Sequence, residues 1–172
     1  MRTLLTERLR IRRMDVSDAG FMLALLNQPS WLQFIGDRGV RTLDDARNYI
    51  LQGPVAMVER LGYGFGVVEA IASGEPLGIC GLAKRDYLDE ADIGFAFMPQ
   101  HCGQGYAHEA ASAVLAFAHA ELGMARVLAT TRTTNSQSQK LLEKLGLRFE
   151  RMIAHPDGDR ELMLYASTPH RR

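Results

Sequence analysis

Two short stretches of this chain hold residue types whose order suggests chemistry. In Gln100-His101-Cys102-Gly103-Gln104-Gly105-Tyr106, an apolar β-type run has just broken at Pro99 and the chain passes through two glycines into a helix. Helix starts leave backbone N–H groups unpaired and carry the positive end of the peptide dipoles, so this turn can hold an anion. Gly103 and Gly105 lack Cβ atoms, which lets them take positive φ and lets a diphosphate come close to the backbone. Taken alone, the spacing fits an ordinary strand-to-helix turn equally well. The second stretch is Thr134-Asn135-Ser136-Gln137-Ser138. Ser136 and Gln139 have capping-box spacing, which accounts for a helix start there. Ser138 shares a helix face with Leu141, Leu142 and Leu145, so its hydroxyl points inward. A buried hydroxyl needs a partner, either a carbonyl one turn back or a ligand.

Two common nucleotide sites are excluded. No Lys-Ser/Thr follows the glycines, so the turn is not a Walker A loop. His108 occupies the third small position of a dinucleotide fingerprint and the next strand ends in Thr130-Thr131 without an acid, which removes a nicotinamide-dependent oxidoreductase. Gly62, Gly64 and Gly66 are followed by no helix and read as turn and strand glycines. His101 and His108 have no acid to complete a ligand set, so no metal is expected. Cys80 and Cys102 have no paired framework, and a reducing compartment fits them.

The elements that must position these stretches follow from periodicity. Residues 7–14 alternate, with Leu9 and Ile11 on one face and Arg8, Arg10 and Arg12 on the other, as in a half-buried strand. Ser17 is placed to cap a helix carrying Phe21, Met22, Leu25 and Leu26. A short helix holds Trp31 and Phe34, and Thr42 caps a third that Gly53 and Pro54 break. Strands are expected over 65–72, 77–84 and 91–98 as an antiparallel meander, then over 126–131, 149–153 and 161–165. After Gly105 comes the clearest helix, with Ala107, Ala110, Ala111, Val114, Phe117 and Ala118 in one stripe. Its crossover makes strands 91–98 and 126–131 a parallel pair. A last helix over 136–145 closes at Gly146.

Composition narrows the class further. The 20 basic and 20 acidic residues cancel, and no run of Lys/Arg exceeds the short fragments at Arg12 and Arg171, so nucleic acid is not an expected partner. No apolar run has the length of a signal peptide core or a membrane span. The chain therefore reads as one cytoplasmic domain over residues 1–172, a monomer or homodimer.

Four segments carry a family resemblance: Thr6-Glu7-Arg8-Leu9-Arg10-Ile11-Arg12; Asp92-Ile93-Gly94-Phe95 leading to Gln100-x-x-Gly103-x-Gly105-Tyr106-Ala107-x-Glu109-Ala110; Asn135-x-x-Ser138-x-x-Leu141-x-Glu143-Lys144-Leu145-Gly146; and Asp157-Gly158 with residues 162–165. In these the chain resembles the GNAT superfamily of acyl-CoA N-acyltransferases, most closely the branch of the Rim-type ribosomal-protein N-terminal acetyltransferases. The resemblance implies an α/β (α+β) fold with a mixed, mostly antiparallel sheet of about six to seven strands, splayed at its middle and flanked by helices. Acetyl-CoA would lie between the strand ending at Met98 and the strand ending near Thr131. Backbone groups of Phe97 and Met98 would pair with the pantetheine. The amides of Gln100, His101, Cys102, Gly103, Gln104, Gly105 and Tyr106 would hold the pyrophosphate. Asn135 would bond the pantetheine arm, and Ser138 would lie near the thioester sulfur.

The implied reaction is acetyl transfer to a primary amine through a tetrahedral intermediate, with no metal. The amine proton must leave, the oxyanion must be stabilised and the sulfur must be protonated. The Met98 backbone N–H is assigned to the oxyanion and Ser138 to the sulfur, Leu142 standing where many relatives have a Tyr. Asp92, at a position where relatives in this branch often carry an acid, is either the base acting through a water or a solvated strand-edge carboxylate beside Asp89 and Glu90. The acceptor would enter beside Trp31 and Phe34 and the loops 86–90 and 155–160, whose acids favour a cationic amine: a protein N-terminus, a polyamine or an aminoglycoside. A non-catalytic CoA-binding sensor module is the remaining alternative.

Overall fold

A computed structural model describes residues 1–168. The chain begins with β1 (Leu4–Leu5) and β2 (Leu9–Arg13). A helical layer follows: α1 (Ala19–Leu26), α2 (Pro29–Phe34), α3 (Leu43–Ile50) and α4 (Ala56–Leu61). Then come β3 (Phe65–Ala70), β4 (Pro76–Ala83), β5 (Asp92–Phe97), α5 (Tyr106–Ala120), β6 (Leu128–Thr131), α6 (Ser136–Lys144), β7 (Arg148–Ala154) and β8 (Glu161–Ala166).

The eight strands form one sheet in the order β1-β2-β3-β4-β5-β6-β8-β7, one strand more than the upper expectation because β1 is a two-residue edge strand. Its residues are too few to show alternation. All neighbours are antiparallel except β5 and β6, the crossover pair, as the intervening helix requires.

Alternation along the strands builds two cores. Leu9, Ile11, Val68 and Cys80 pack with Ala110, Ala111, Val114 and Leu142 under α5 and α6. Val67 and Ile79, one residue out of phase with Val68 and Cys80, pack on the other face with Met22, Leu25, Leu26 and Ile50 of α1 and α3. Full burial of side chains such as Leu9, Ile11 and Leu142 contributes roughly 1.5–3 kcal/mol each.

Local chemistry sets the helix ends. Thr42 caps α3 through a reciprocal box with Asp45, as its sequence position predicts. Asp15, not Ser17, caps the short 3-10 turn before α1, because its carboxylate reaches the Ser17 amide and the Asp18 carboxylate returns the bond. Asn135, not Ser136, caps α6 by accepting from the Ser138 amide. Gly53 and Pro54 do not stop the chain: a π-type turn over Leu51–Val55 absorbs the missing proline donor and runs α3 into α4.

The β5–β6 seam opens almost at once. Its register holds a single residue pair, Asp92 with Leu128, supported by Leu128 N–H donating to the Ala91 carbonyl at 2.9 Å. On its other edge β5 pairs with β4 over its whole length, Asp92 with Ala83 through Phe97 with Gly78. The sheet is thus splayed at its middle, with the glycine turn at the open end of β5 and the start of α6 just beyond the open end of β6.

Candidate active site

The parity of β5 decides which main-chain groups face the splay. Met98 N–H donates to the Leu77 carbonyl of β4 at 2.9 Å, and the Met98 carbonyl accepts the His101 amide at 2.9 Å. Both backbone groups of Met98 are therefore occupied, and its amide cannot be the oxyanion donor expected from the sequence. The alternate residues point the other way: Ala91 already bonds β6, so Phe95 and Phe97 present N–H and C=O to the splay beyond the last paired residue. The expected pairing role of Phe97 keeps its geometry, whereas that of Met98 shifts by one residue onto this set.

The glycine turn divides in the same way. The amides of His101 and Cys102 are spent on the Met98 and Pro99 carbonyls in a 3-10 turn over Pro99–His101. Those of Gly103, Gln104 and Gly105 have no hydrogen-bond acceptor among the described residues, and they stand at the start of the 15-residue helix α5. Gly103 and Gly105 have φ of +78° and +81°, the left-handed region that glycine adopts freely. A Cβ on Gly103 would meet nothing within 4 Å, so the turn is open toward an approaching ligand. Of the expected side chains here, Gln104 Nε2 donates back to the Gln100 carbonyl at 3.1 Å and His101 turns toward Glu75. The Cys102 thiol is pushed up by desolvation and is not activated.

A clamp that sequence periodicity did not disclose fixes this turn to the sheet. Arg8 Nε donates to Glu109 Oε2 at 2.7 Å, the Arg8 amide to Oε1 at 2.9 Å and Thr6 Oγ1 to Oε1 at 2.6 Å. Arg8 Nη1 also holds the Gln104 carbonyl at 3.0 Å, and its guanidinium lies 4.5 Å above the Tyr106 ring. Tyr106 thus packs at the helix start and against the core under α5. Burial raises the Glu109 carboxyl, but the bonds from Thr6 and Arg8 outweigh it and hold the group below its ordinary range. The signal present in the sequence was Thr6 and Arg8 together with Glu109, more than a hundred residues apart.

Across the splay, Ser138 is half-buried in the first turn of α6, and its hydroxyl makes no hydrogen bond among the described residues. The carbonyl one turn back does not take it, which leaves the ligand alternative. Asn135 Oδ1 takes the Ser138 amide in the cap, and the amide nitrogen makes no hydrogen bond among the described residues. Leu142 is buried in the core.

Asp92 is not a solvated edge carboxylate. It is 3% exposed, held between β4 and β6 at the closed end of the splay. Arg85 Nε lies 3.3 Å from both carboxylate oxygens, bonding Oδ2 and leaving Oδ1 without a hydrogen-bond partner. Burial pushes the Asp92 carboxyl above its ordinary value, the charge of Arg85 only partly opposing it. Burial raises the Tyr49 and Tyr87 hydroxyls, the charges of Arg38 and Arg85 opposing it.

The acceptor side differs from its expected wall. Trp31 is 5% exposed and belongs to the core under α1 and α3, so it cannot line a mouth. The loops do converge: a Cβ built on Gly36 would lie 4.0 Å from Arg160 Nη2, and the Tyr87 and His155 rings are tilted at 47° with centroids 6.4 Å apart. His155, Asp157 and Asp159 bring ligand atoms within 4.8 Å at the β7–β8 turn, but Nδ1 of the ring already accepts the Asp157 amide at 3.1 Å. Among the described residues no helix is long and apolar enough to cross a membrane.

Comparison with known proteins gives the family and the fold. A family model described as Acetyltransferase (GNAT) domain matches residues 8–148. The chain is 27% identical over 166 residues to the uncharacterized N-acetyltransferase YoaA of Bacillus subtilis (strain 168), covering 96% of this chain and 90% of that protein. A GNAT-family acetyltransferase structure from Bacillus anthracis superposes with a TM-score of 0.79 at 26% identity, covering 96% and 98% of the two chains. RimL, a ribosomal α-N-protein acetyltransferase in complex with coenzyme A, shares the fold with a TM-score of 0.82 at 19% identity, covering 97% and 98%.

Proposed function

The chain belongs to the acetyltransferase (GNAT) domain family and is an acetyl-CoA-dependent acetyltransferase, and from that premise we propose that it acetylates a primary amine by direct attack on the thioester. The observation that carries this reading is the alignment of unspent main-chain donors: the outward edge of β5 at Phe95 and Phe97 leads straight to the free amides of Gly103, Gln104 and Gly105. A diphosphate on the helix start and an extended arm along β5 satisfy both sets. Bound acetyl-CoA supplies an activated acyl group whose thiolate is a good leaving group.

This chain's own residues do the rest. The Phe95 amide, deeper in the splay than that of Phe97, stabilises the oxyanion, taking the role first given to Met98. Asp92 receives the amine proton through a water: its raised carboxyl brings proton affinity closer to the working pH, and Oδ1 is unpaired. Ser138 donates a hydrogen bond to the leaving thiolate, which takes its proton from solvent as CoA departs, and the free Asn135 amide bonds the arm. A protein N-terminal amine, the acceptor class in RimL's name, is the first to test, with small amines beside it.

An acceptor panel of peptides with free N-termini, polyamines, aminoglycosides and amino acids, followed by CoA release and mass spectrometry, tests the reading. It expects one CoA released per acetylated amine. Acetyl-CoA binding without CoA release across the panel, unaltered in Ser138→Ala, would instead show a sensor module.

A further inference from the structure

The half-buried arginines fall into two groups. Arg10, Arg12, Arg85 and Arg126 each have a carboxylate within 4 Å, on Glu69, Asp18, Asp92 and Glu150 among others. Arg132 and Arg160 have none, and the Nε of each is shielded from solvent without a hydrogen-bond partner. Arg160 Nη2 lies 3.1 Å from a ring nitrogen, His155 Nε2, and Arg132 makes no side-chain hydrogen bond among the described residues.

The sheet brings the two together. Thr130 opposes Leu164 and Thr131 opposes Met163, so continuing the antiparallel register sets Arg132 opposite Leu162, with Arg160 two residues further along the same face. That face carries Leu164, which opposes Thr130 and packs with Leu88 of the loop 86–90, and a Cβ built on Gly36 would lie 4.0 Å from Arg160 Nη2, so both guanidiniums stand toward the loops assigned to the acceptor. Arg132 is depressed by burial and then by the charge of Arg160, with the charge of Asp159 opposing. Two like charges placed together beside an open splay, with no carboxylate in salt-bridge contact with either, leave room for an anion between them.

We propose that Arg132 and Arg160 hold a carboxylate carried by the acceptor, so that the substrate class is amines bearing a carboxylate and not polycations. The forked donors of guanidinium match a planar carboxylate, and their position beyond β6 sets that group apart from the amine presented to Asp92. This replaces the expectation, drawn from acids in the loops, of a cationic acceptor. It rests on the acetyl-transfer reading above. The carboxylate has two sources, the free group of an amino acid or an acidic side chain near a peptide N-terminus.

Acceptor pairs differing only in carboxylate against carboxamide test it: amino acids from glycine to aminohexanoate with their amides, and peptides carrying Glu or Gln near a free N-terminus. At least one pair is expected to favour the carboxylate by roughly tenfold or more in kcat/KM. Arg132→Gln and Arg160→Gln each remove that preference through KM, leaving the amide member and acetyl-CoA affinity unchanged. A response confined to one arm identifies the source. Equal values within every pair, or a preference that survives both substitutions, overturns the assignment. Calorimetric binding of the same pairs reads the carboxylate without transfer. Carboxylate-dependent binding with no acetyl transfer would sink the transfer reading and spare the arginine pair, whereas transfer without carboxylate preference does the reverse.

Discussion

The two edges of the splay are built from different materials. On the β5 side the proposed groups are main-chain: Phe95, Phe97, Gly103, Gln104 and Gly105 offer N–H groups that strand parity and positive φ leave unspent. On the β6 side they are side chains: Arg132, Asn135 and Ser138, joined by Arg160 from the turn between β7 and β8. A main-chain cradle recognises what every acyl-CoA shares. A side-chain wall can change with the acceptor while the strand that carries it stays the same. Asp92 and Leu128, the one residue pair of the seam, are where the two meet.

The largest effect should come from that meeting point. Asp92→Asn keeps the shape and removes the proton acceptor, and turnover should fall by roughly a hundredfold or more. The wild-type rate should decline as pH drops through the raised Asp92 pKa, because only the carboxylate accepts a proton. That acidic limb should vanish in the variant, and a pH profile with the limb intact would remove Asp92 from the reaction.

Ser138→Ala tests the side-chain edge alone. A thiolate with an unperturbed pKa near 8.5 leaves without much help, so turnover should drop by only about tenfold while acetyl-CoA affinity holds. A matching fall in affinity would mean that Ser138 binds the arm and does not serve the sulfur.

The smallest effect concerns the clamp behind the cradle. Glu109→Gln should cost about 1 kcal/mol in denaturant unfolding, modest because Arg8 is partly exposed and screened. Since the folded Glu109 carboxyl lies below its ordinary 4.5, its contribution is complete above that value and is lost as pH falls through the lower folded pKa. The stability difference between wild type and variant should therefore shrink in acid, and a constant difference would exclude the ion pair as its source.

Legibility followed the same division. The positive φ of Gly103 and Gly105 could be read because a glycine turn into a long amphipathic stripe is a local pattern, and Thr42 because a cap is local. The splay was foreseen from the family resemblance, and the parallel pair from the crossover. Met98 was assigned to the wrong edge of its strand because parity turns on the Leu77 bond, which no local pattern specifies. The burial of Asp92 depends on β4 and β6 closing over it, and a run of acids before it suggested solvent instead. Arg132 with Arg160, and Arg8 with Glu109, are pairings of tertiary structure between residues far apart in the chain.

The claim that one edge is a main-chain cradle is tested most directly by titrating acetyl-CoA into Gly103→Val beside wild type. The substitution fills the open approach and strains a φ of +78°, at a cost of roughly 1–2 kcal/mol for a left-handed residue. With cooperative thermal unfolding retained, the dissociation constant should rise about tenfold or more. Unchanged affinity in a folded variant would place the diphosphate elsewhere and contradict the account.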